Sequence, residues 1–506
     1  MANISLNNLN SDIKEYFLEG FTEDDSSRYL LHSFLLLNHE WSKIAVKFLY
    51  KDTWIFITRM SNEKLRAKQL IDTYLKCLPN SGITTTYDYI EKTRNLDIPA
   101  LYECVMYWEE ETQPQYDNPQ VEDIFFKLFR AFIKKSNLKE CTFAKSRQEE
   151  PPLRSPMNDN YLLELVTGLD VRGVQLNYLN LGYYPCSDNA LRCLTGRVTH
   201  LKTFKVKVQP GSDQALAAFL SSQRALTKLK IRSGNDISET ISALASLSKT
   251  LVKLRIISCD LETYETPFTS IAACTGLRSL YMYNTKFTSR ISPSDLLMPI
   301  ARSCAFHNVD FTGTILPGDV LASIAIHSSS TLCRVIISER PNKYPQPDDD
   351  DDLAVGIREL AVHAKNLKVF VCKIWPGETT ALLNLLNSIG HSLERLEIGS
   401  LALVNRESSD IIRAIAQNCS SLKTLDVSYL RFSRTAFEEL VRGTRIEDLY
   451  LHGNRDIDDA SLKIMREVWD GTLRFLDITE CDHVSDKAIN ELYDWVEDFE
   501  TDRREF

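Results

Sequence analysis

The sequence predicts an α/β solenoid preceded by a small all-helical domain. Three observations carry this. A nine-residue apolar pattern recurs along most of the chain at a near-constant interval. Each copy is followed by an amphipathic stretch of helical period, such as Asp410 to Gln417. Residues 1–56 lack the pattern and carry helical apolar stripes instead.

The recurring stretch is cleanest at Leu473 to Cys481, which reads L-x-x-L-x-I-x-x-C. It recurs at Leu251 to Cys259 and, with Asn in the ninth place, at Ile446 to Asn454. Looser copies start at Leu201, Leu226, Leu277, Phe306, Leu332, Leu367, Leu393 and Leu422. Adjacent copies lie 24 to 35 residues apart. Self-similarity at this period marks a leucine-rich-repeat solenoid. The apolar residues two apart occupy one face of a strand, and the residues between them face the other way. A lone strand and helix cannot bury their apolar faces, whereas stacked neighbours share a continuous core. The ninth residue lies where the strand turns away. A backbone group buried there needs a partner, which an Asn amide supplies well and a thiol weakly. Cys also recurs just before strands, at Cys274, Cys304 and Cys419. This usage resembles the cysteine-containing class of leucine-rich repeats.

Four regions follow. Residues 1–56 predict helices, with Trp41, Ile44, Ala45, Phe48 and Leu49 forming one stripe. Residues 57–136 predict a helical linker region. Residues 137–190 hold two degenerate early repeats, starting at Leu138 and Val171, around a polar, Pro-bearing loop at 145–156. The clear solenoid covers 191–506 and ends in a polar cap. A loop carrying Asp348 to Asp352 widens one interval.

Composition narrows the function classes. A net charge of −10 over 506 residues argues against general binding of nucleic acid or anionic membrane. No signal peptide is visible, and no apolar run reaches the roughly 18 residues a membrane helix needs. A cytoplasmic or nuclear location is the expectation. The twelve Cys have no paired metal spacing and read as reduced core residues, so neither metal nor cofactor is expected. There is no phosphate loop, no H-E-x-x-H and no G-x-S-x-G, and the nine His are dispersed. A non-catalytic protein is expected.

Leu35-Leu-Leu-Asn38-His-Glu-Trp41-Ser-Lys-Ile44-Ala45, followed by Phe48-Leu49-Tyr50, resembles the second half of an F-box. Leu9-Asn10-Ser-Asp12-Ile13 with Phe17 resembles its opening. Stretches at 69–79 and 86–96 are similar to parts of the large fungal set of F-box/leucine-rich-repeat proteins. The resemblance implies the substrate-recognition subunit of a cullin-type (SCF) ubiquitin-ligase complex. The box would dock on a Skp-family adaptor, and the repeats would bind a protein substrate. Leu9, Ile13, Phe17, Leu35, Leu37, Trp41 and Leu49 would form the box, as core or as adaptor contact. Asn10 stands where Pro is usual and Tyr50 where Trp is usual. The alternative is therefore a repeat scaffold or inhibitor whose N-terminal helices act as a cap. A third reading is a regulator or small-ligand receptor using the concave face.

The third, fifth and seventh residues of each copy should line that face. The early strands offer Lys205, Lys207, Lys228, Lys230, Arg232, Lys253 and Arg255. The middle strands offer Tyr281, Tyr283, Ile336, Val369 and Val371. The late strands offer Glu397, Asp426, Asp448 and Asp477, with Tyr450, His452 and Phe475 beside them. Either these charges are merely solvated or they form a groove for a protein partner. In the groove reading Tyr281, Tyr283 and the nearby aliphatics are the energetic centre.

Overall fold

The computed structural model of the chain describes residues 14, 18, 39–51, 63–79, 87–112, 120–143, 159–172, 175–182, 184, 186–233, 236–261, 268–287, 291–337, 353–373, 376–399 and 405–501. The chain divides into two compact units, Met1–Leu226 and Thr227–Phe506.

The first unit opens on the helix His39–Leu49. Trp41, Ile44, Ala45 and Leu49 from that helix are buried together with Leu18, as the 3.6-residue spacing of the stripe requires. The helices Glu63–Lys76, Ile98–Thr112 and Gln120–Lys135 follow. Rings tie them to the first helix. Tyr50 meets Tyr89 at 4.5 Å and Tyr74 at 6.3 Å, and Tyr74 meets Phe132 edge-on at 4.9 Å. Four strands pair in parallel, in order: β1 Asn95–Asp97, β2 Glu140–Thr142, β3 Tyr178–Leu181 and β4 Thr203–Lys207.

Two sequence expectations change here. The stretch read as a helical linker contains β1, whose register with β2 pairs Leu96 with Cys141. The second early repeat starts at Leu176 and not at Val171, because Asp159–Arg172 is a helix. Its core positions are Leu176, Leu179 and Leu181, all buried. The alternative frame at Val171 overlaps the true one and ends on the same Leu176, so the pattern alone does not separate them.

In the second unit parallel strands follow one another without reordering. They are β5 Lys228–Arg232, β6 Lys253–Ile257, β8 Ser279–Tyr283, β10 Asn308–Asp310, β11 Arg334–Ile337 and β12 Val369–Lys373. Then come β13 Arg395–Gly399, β14 Thr424–Asp426, β15 Asp448–Tyr450, β16 Phe475–Asp477 and β17 Asp498–Glu500. A small second layer pairs β7 Asp260–Leu261 with β9 Lys286–Phe287. Helices such as Gly318–His327, Leu353–His363 and Asn405–Asn418 return the chain between strands. The polar tail read as a cap includes β17, which extends the sheet by pairing with β16.

The repeat geometry explains the recurring residues. Asn454 in the ninth place donates from Nδ2 to the Val427 carbonyl, the sixth residue of the preceding copy, at 2.9 Å. Cys481 donates to the equivalent Leu451 carbonyl at 3.4 Å. The cysteines before strands form a second column. Cys304 Sγ donates to the Cys274 carbonyl at 3.5 Å, and Cys274 Sγ to Leu244 at 3.4 Å. Burial pushes the Cys274 thiol up to about 11 and those of Cys304 and Cys419 to about 12, so these thiols stay neutral.

The eighth place carries a feature the sequence conceals. Ser258, Asn284, Gly313, Tyr429, Gly453 and Glu480 all hold positive φ there. A Cβ on Gly453 would lie 2.5 Å from the Tyr429 ring, so Gly serves both the turn and the ring beside it.

Candidate functional site

The alternation expected along each strand holds at β6. Leu254 and Ile256 are buried, while Lys253, Arg255 and Ile257 are half-buried on the opposite face. Register then fixes which side chains are neighbours. Lys228 pairs with Lys253, Lys230 with Arg255 and Arg232 with Ile257. Lys253 in turn pairs with Ser279, Arg255 with Tyr281 and Ile257 with Tyr283.

Tyr281 is not the exposed anchor that the sequence suggests. It is only 8% exposed. Lys253 Nζ lies 4.9 Å and the Arg255 guanidinium carbon 4.6 Å from its ring centroid. The ring already serves two cations of its own chain. Ile336 and Val371, at 8% and 7%, are likewise covered by neighbours. The centre of the face therefore offers little apolar surface to a partner. Tyr283 is half-buried and donates its hydroxyl to Asp310 Oδ2 at 3.0 Å. Burial first, and then the Asp310 carboxylate, raise the Tyr283 phenol. Asp310 is 4% exposed, and its other oxygen accepts from the Thr312 amide at 3.2 Å and hydroxyl at 2.7 Å.

The acidic end has structural work. Asp426 Oδ1 accepts from the Ser428 amide, and Asp477 Oδ1 from the Thr479 amide, both at 2.9 Å. With Asp310 they make one motif: the fifth residue caps the turn by which the strand leaves the sheet. Asn180 does the same for Gly182 at 3.0 Å. Asp448 Oδ2 accepts from Thr424 Oγ1 at 3.1 Å. Glu397 is ion-paired with Arg395 on its own strand. Tyr450 packs on Phe475 at 5.0 Å, and burial is the main cause that raises its phenol. The spacing D-x-[ST] at strand ends was the signal for these turns.

At the basic end, Lys205 donates from Nζ to the Tyr178 hydroxyl at 2.8 Å. Arg255 Nε and Arg334 Nε are buried without a hydrogen bond. Among the described residues, no carboxylate forms an ion pair with Lys228, Lys253, Arg255 or Arg334.

Of the box residues, Leu9, Ile13, Phe17, Leu35 and Leu37 lie outside the described residues. Trp41 and Leu49 are buried, which makes them core of the helical domain and not adaptor-contact surface. Lys14 stands 5.4 Å over the Trp41 ring and is bonded to Glu40 at 2.7 Å. Among the described residues no group of three or more His, Cys, Asp or Glu is placed to hold a metal ion. No described helix is long and apolar enough to cross a membrane.

No family model matches the chain, and no curated protein matches it. Solved structures do. A chain of the Rad7 and Elc1 complex in yeast is 13% identical, with 89% of this chain and 92% of that chain covered at a TM-score of 0.41. An internalin (inlF) from Listeria monocytogenes is 15% identical, covering 74% and 83% at 0.32. A chain of the TLR13–ssRNA13 complex is 12% identical, covering 74% and 63% at 0.31. The strand register, the ninth-place donors and the returning helices make the described fold a leucine-rich-repeat α/β fold.

Proposed function

We propose that the chain is the substrate-recognition subunit of a cullin-type ubiquitin-ligase complex. Residues 1–56 would dock on a Skp-family adaptor, and the sheet face of the repeats would hold a protein substrate, in the cytoplasm or nucleus. The chain itself would catalyse nothing. It would raise the effective concentration of substrate near the ubiquitin-bearing enzyme. The observation that carries this reading is the helix His39–Leu49, whose Trp41 is fully buried in a small core ahead of the repeats, as the F-box pattern around Asn38 and Trp41 requires.

One observation favours the cap reading. In the copies from Leu251 to Leu473 the amides of the second and third residues share one carbonyl of the preceding copy, as Lys423 and Thr424 share Glu394. At the first strand that carbonyl belongs to Lys51, which accepts from Arg94 and Asn95 at 3.1 Å. The end of the helical domain thus covers the edge of β1.

The test is co-purification of the full chain with a recombinant Skp-type adaptor, beside the double variant Ile13→Asp/Leu35→Asp. Capture of the parent and loss in a variant with an unchanged unfolding midpoint support docking. If the parent captures no adaptor, the N-terminal helices are a cap and the protein is a repeat scaffold.

A further inference from the structure

We propose that the basic end of the sheet face, built by β5 and β6 around Tyr281, is a preformed site for an extended acidic segment of a protein partner. This deepens the reading of the sheet face as a substrate surface and rests on it.

Among the described residues, no ion pair accounts for the charges of Lys228, Lys253 and Arg255. Lys228 and Lys253 are registered neighbours, and so are Lys230 and Arg255. Adjacent strands are about 4.8 Å apart, so each pair is repulsive and well within a Debye length of about 8 Å. Tyr281 holds two of the cations in place, with Lys253 and Arg255 over its ring. The Arg255 Nε donor is left without an acceptor. A guanidinium held over an aromatic ring, on a strand position that is only half-buried, is arranged to receive a carboxylate. Asp310, the registered neighbour of Tyr281 on the next strand, has both oxygens taken by Thr312 and Tyr283.

The chemistry favours a short acidic peptide over nucleic acid. Residues two apart on a strand repeat every ~6.8 Å, which is also the side-chain repeat of an extended peptide laid along it. Later strands of the same unit carry Glu397, Asp426 and Asp448 on this face. They would repel a long polyanion that continued past β6, as would the net charge of −10.

The test uses the full chain and a fluorescein-labelled oligoglutamate of about ten residues, which at ~3.3 Å per residue spans both strands. Fluorescence anisotropy should show binding that weakens as salt is added. Lys253→Ala/Arg255→Ala should weaken it by about tenfold or more. Tyr281→Leu should weaken it by about threefold, whereas Tyr281→Phe, which keeps the ring face, should stay within about twofold. The double variant should keep a cooperative unfolding transition and the parent's far-UV circular dichroism, which separates lost binding from lost folding. No binding of oligoglutamate, or equal binding by the double variant, overturns the proposal. Tighter binding of an oligouridylate of the same length through the same residues overturns it in favour of a nucleic-acid surface. Adaptor capture is measured separately. Its failure with oligoglutamate still bound sinks the ubiquitin-ligase reading alone, and the reverse outcome sinks this one alone.

Discussion

Charged side chains on neighbouring strands behave oppositely in the early and late strands of the second unit. At β5 and β6, cations face cations in register. From β12 onward, the second residue of each copy alternates in sign: Lys368, Glu394, Lys423, Glu447, Arg474, Glu497. These form a ladder along the strand-entry edge. Lys368 meets Glu394 at 2.7 Å, Lys423 meets Glu447 at 3.3 Å, and Arg474 meets Glu497 at 3.3 Å. One fold thus contains charges arranged to hold neighbouring repeats together and charges arranged against it. The second kind persists on the face where a partner would lie. The acids of that face belong to the first kind, because they cap turns or pair locally.

If that division is right, truncating the acids costs more stability than truncating the cations. The largest cost is expected at Asp310→Ala. It strips acceptors from the Thr312 amide and hydroxyl and from the Tyr283 hydroxyl, in a site 4% exposed. Buried donors left unpaired cost ~1–3 kcal/mol each before relaxation, so a net loss of about 3 kcal/mol is expected by chemical denaturation. A loss near zero would mean that the acid is kept for a partner.

A smaller effect is expected at Asp426. Asp426→Ala removes the cap on the Ser428 amide and should cost about 1 kcal/mol, while Asp426→Asn keeps an oxygen in the same place and should cost only a few tenths. Lys228→Ala, on the exposed basic end, should change the denaturation midpoint by no measurable amount. Equal losses for the Ala and Asn variants at Asp426 would show that its charge, not its turn, is what matters.

These contrasts show what the sequence makes legible. Periodicity placed the strands from Leu201 onward, because the apolar residues at the first, fourth and sixth positions are the core itself. The chemistry of the ninth place was readable too, since only a donor satisfies the carbonyl that Asn454 and Cys481 reach. The left-handed eighth residue was not. It is held by backbone geometry and is occupied by Ser, Asn, Gly, Tyr and Glu alike. Nor was the burial of Tyr281, which depends on Lys253 and Arg255 being registered neighbours and not merely residues of one charged run. The row Glu397, Asp426, Asp448, Asp477 looked like half of a charge gradient because the turn hydrogen bonds of Asp426 and Asp477 leave only the faint D-x-[ST] trace in sequence, and the local partners of Glu397 and Asp448 leave none.

Charge reversal sharpens the same comparison by sign. Glu394→Lys places three cations in a row with Lys368 and Lys423, so the unfolding midpoint should fall. Lys253→Glu places an acid between Lys228 and the Tyr281 platform, so the midpoint should hold or rise. Both changes should shrink as salt is added, because the groups are at least partly exposed. Movement in the same direction for both variants would remove the distinction between the two ends.

The smallest effect should appear only in acid. The hydrogen bond from Lys368 is the first cause, and the charges of Lys368 and Lys423 add to it, in holding Glu394 below the ordinary glutamate value of 4.5. A group whose folded value is lowered binds fewer protons folded than unfolded. Its contribution is therefore present above that ordinary value and is lost as pH falls through the lowered one. Glu394→Gln should unfold more easily than the parent near neutral pH, and the gap should close as pH falls below the ordinary glutamate value of 4.5. Lys253→Ala removes a cation with no carboxylate partner, so its offset from the parent should stay flat over the same range. A gap for Glu394→Gln that persists at the acid end would mean that the amide disturbs packing and that the ladder's charge contributes nothing there.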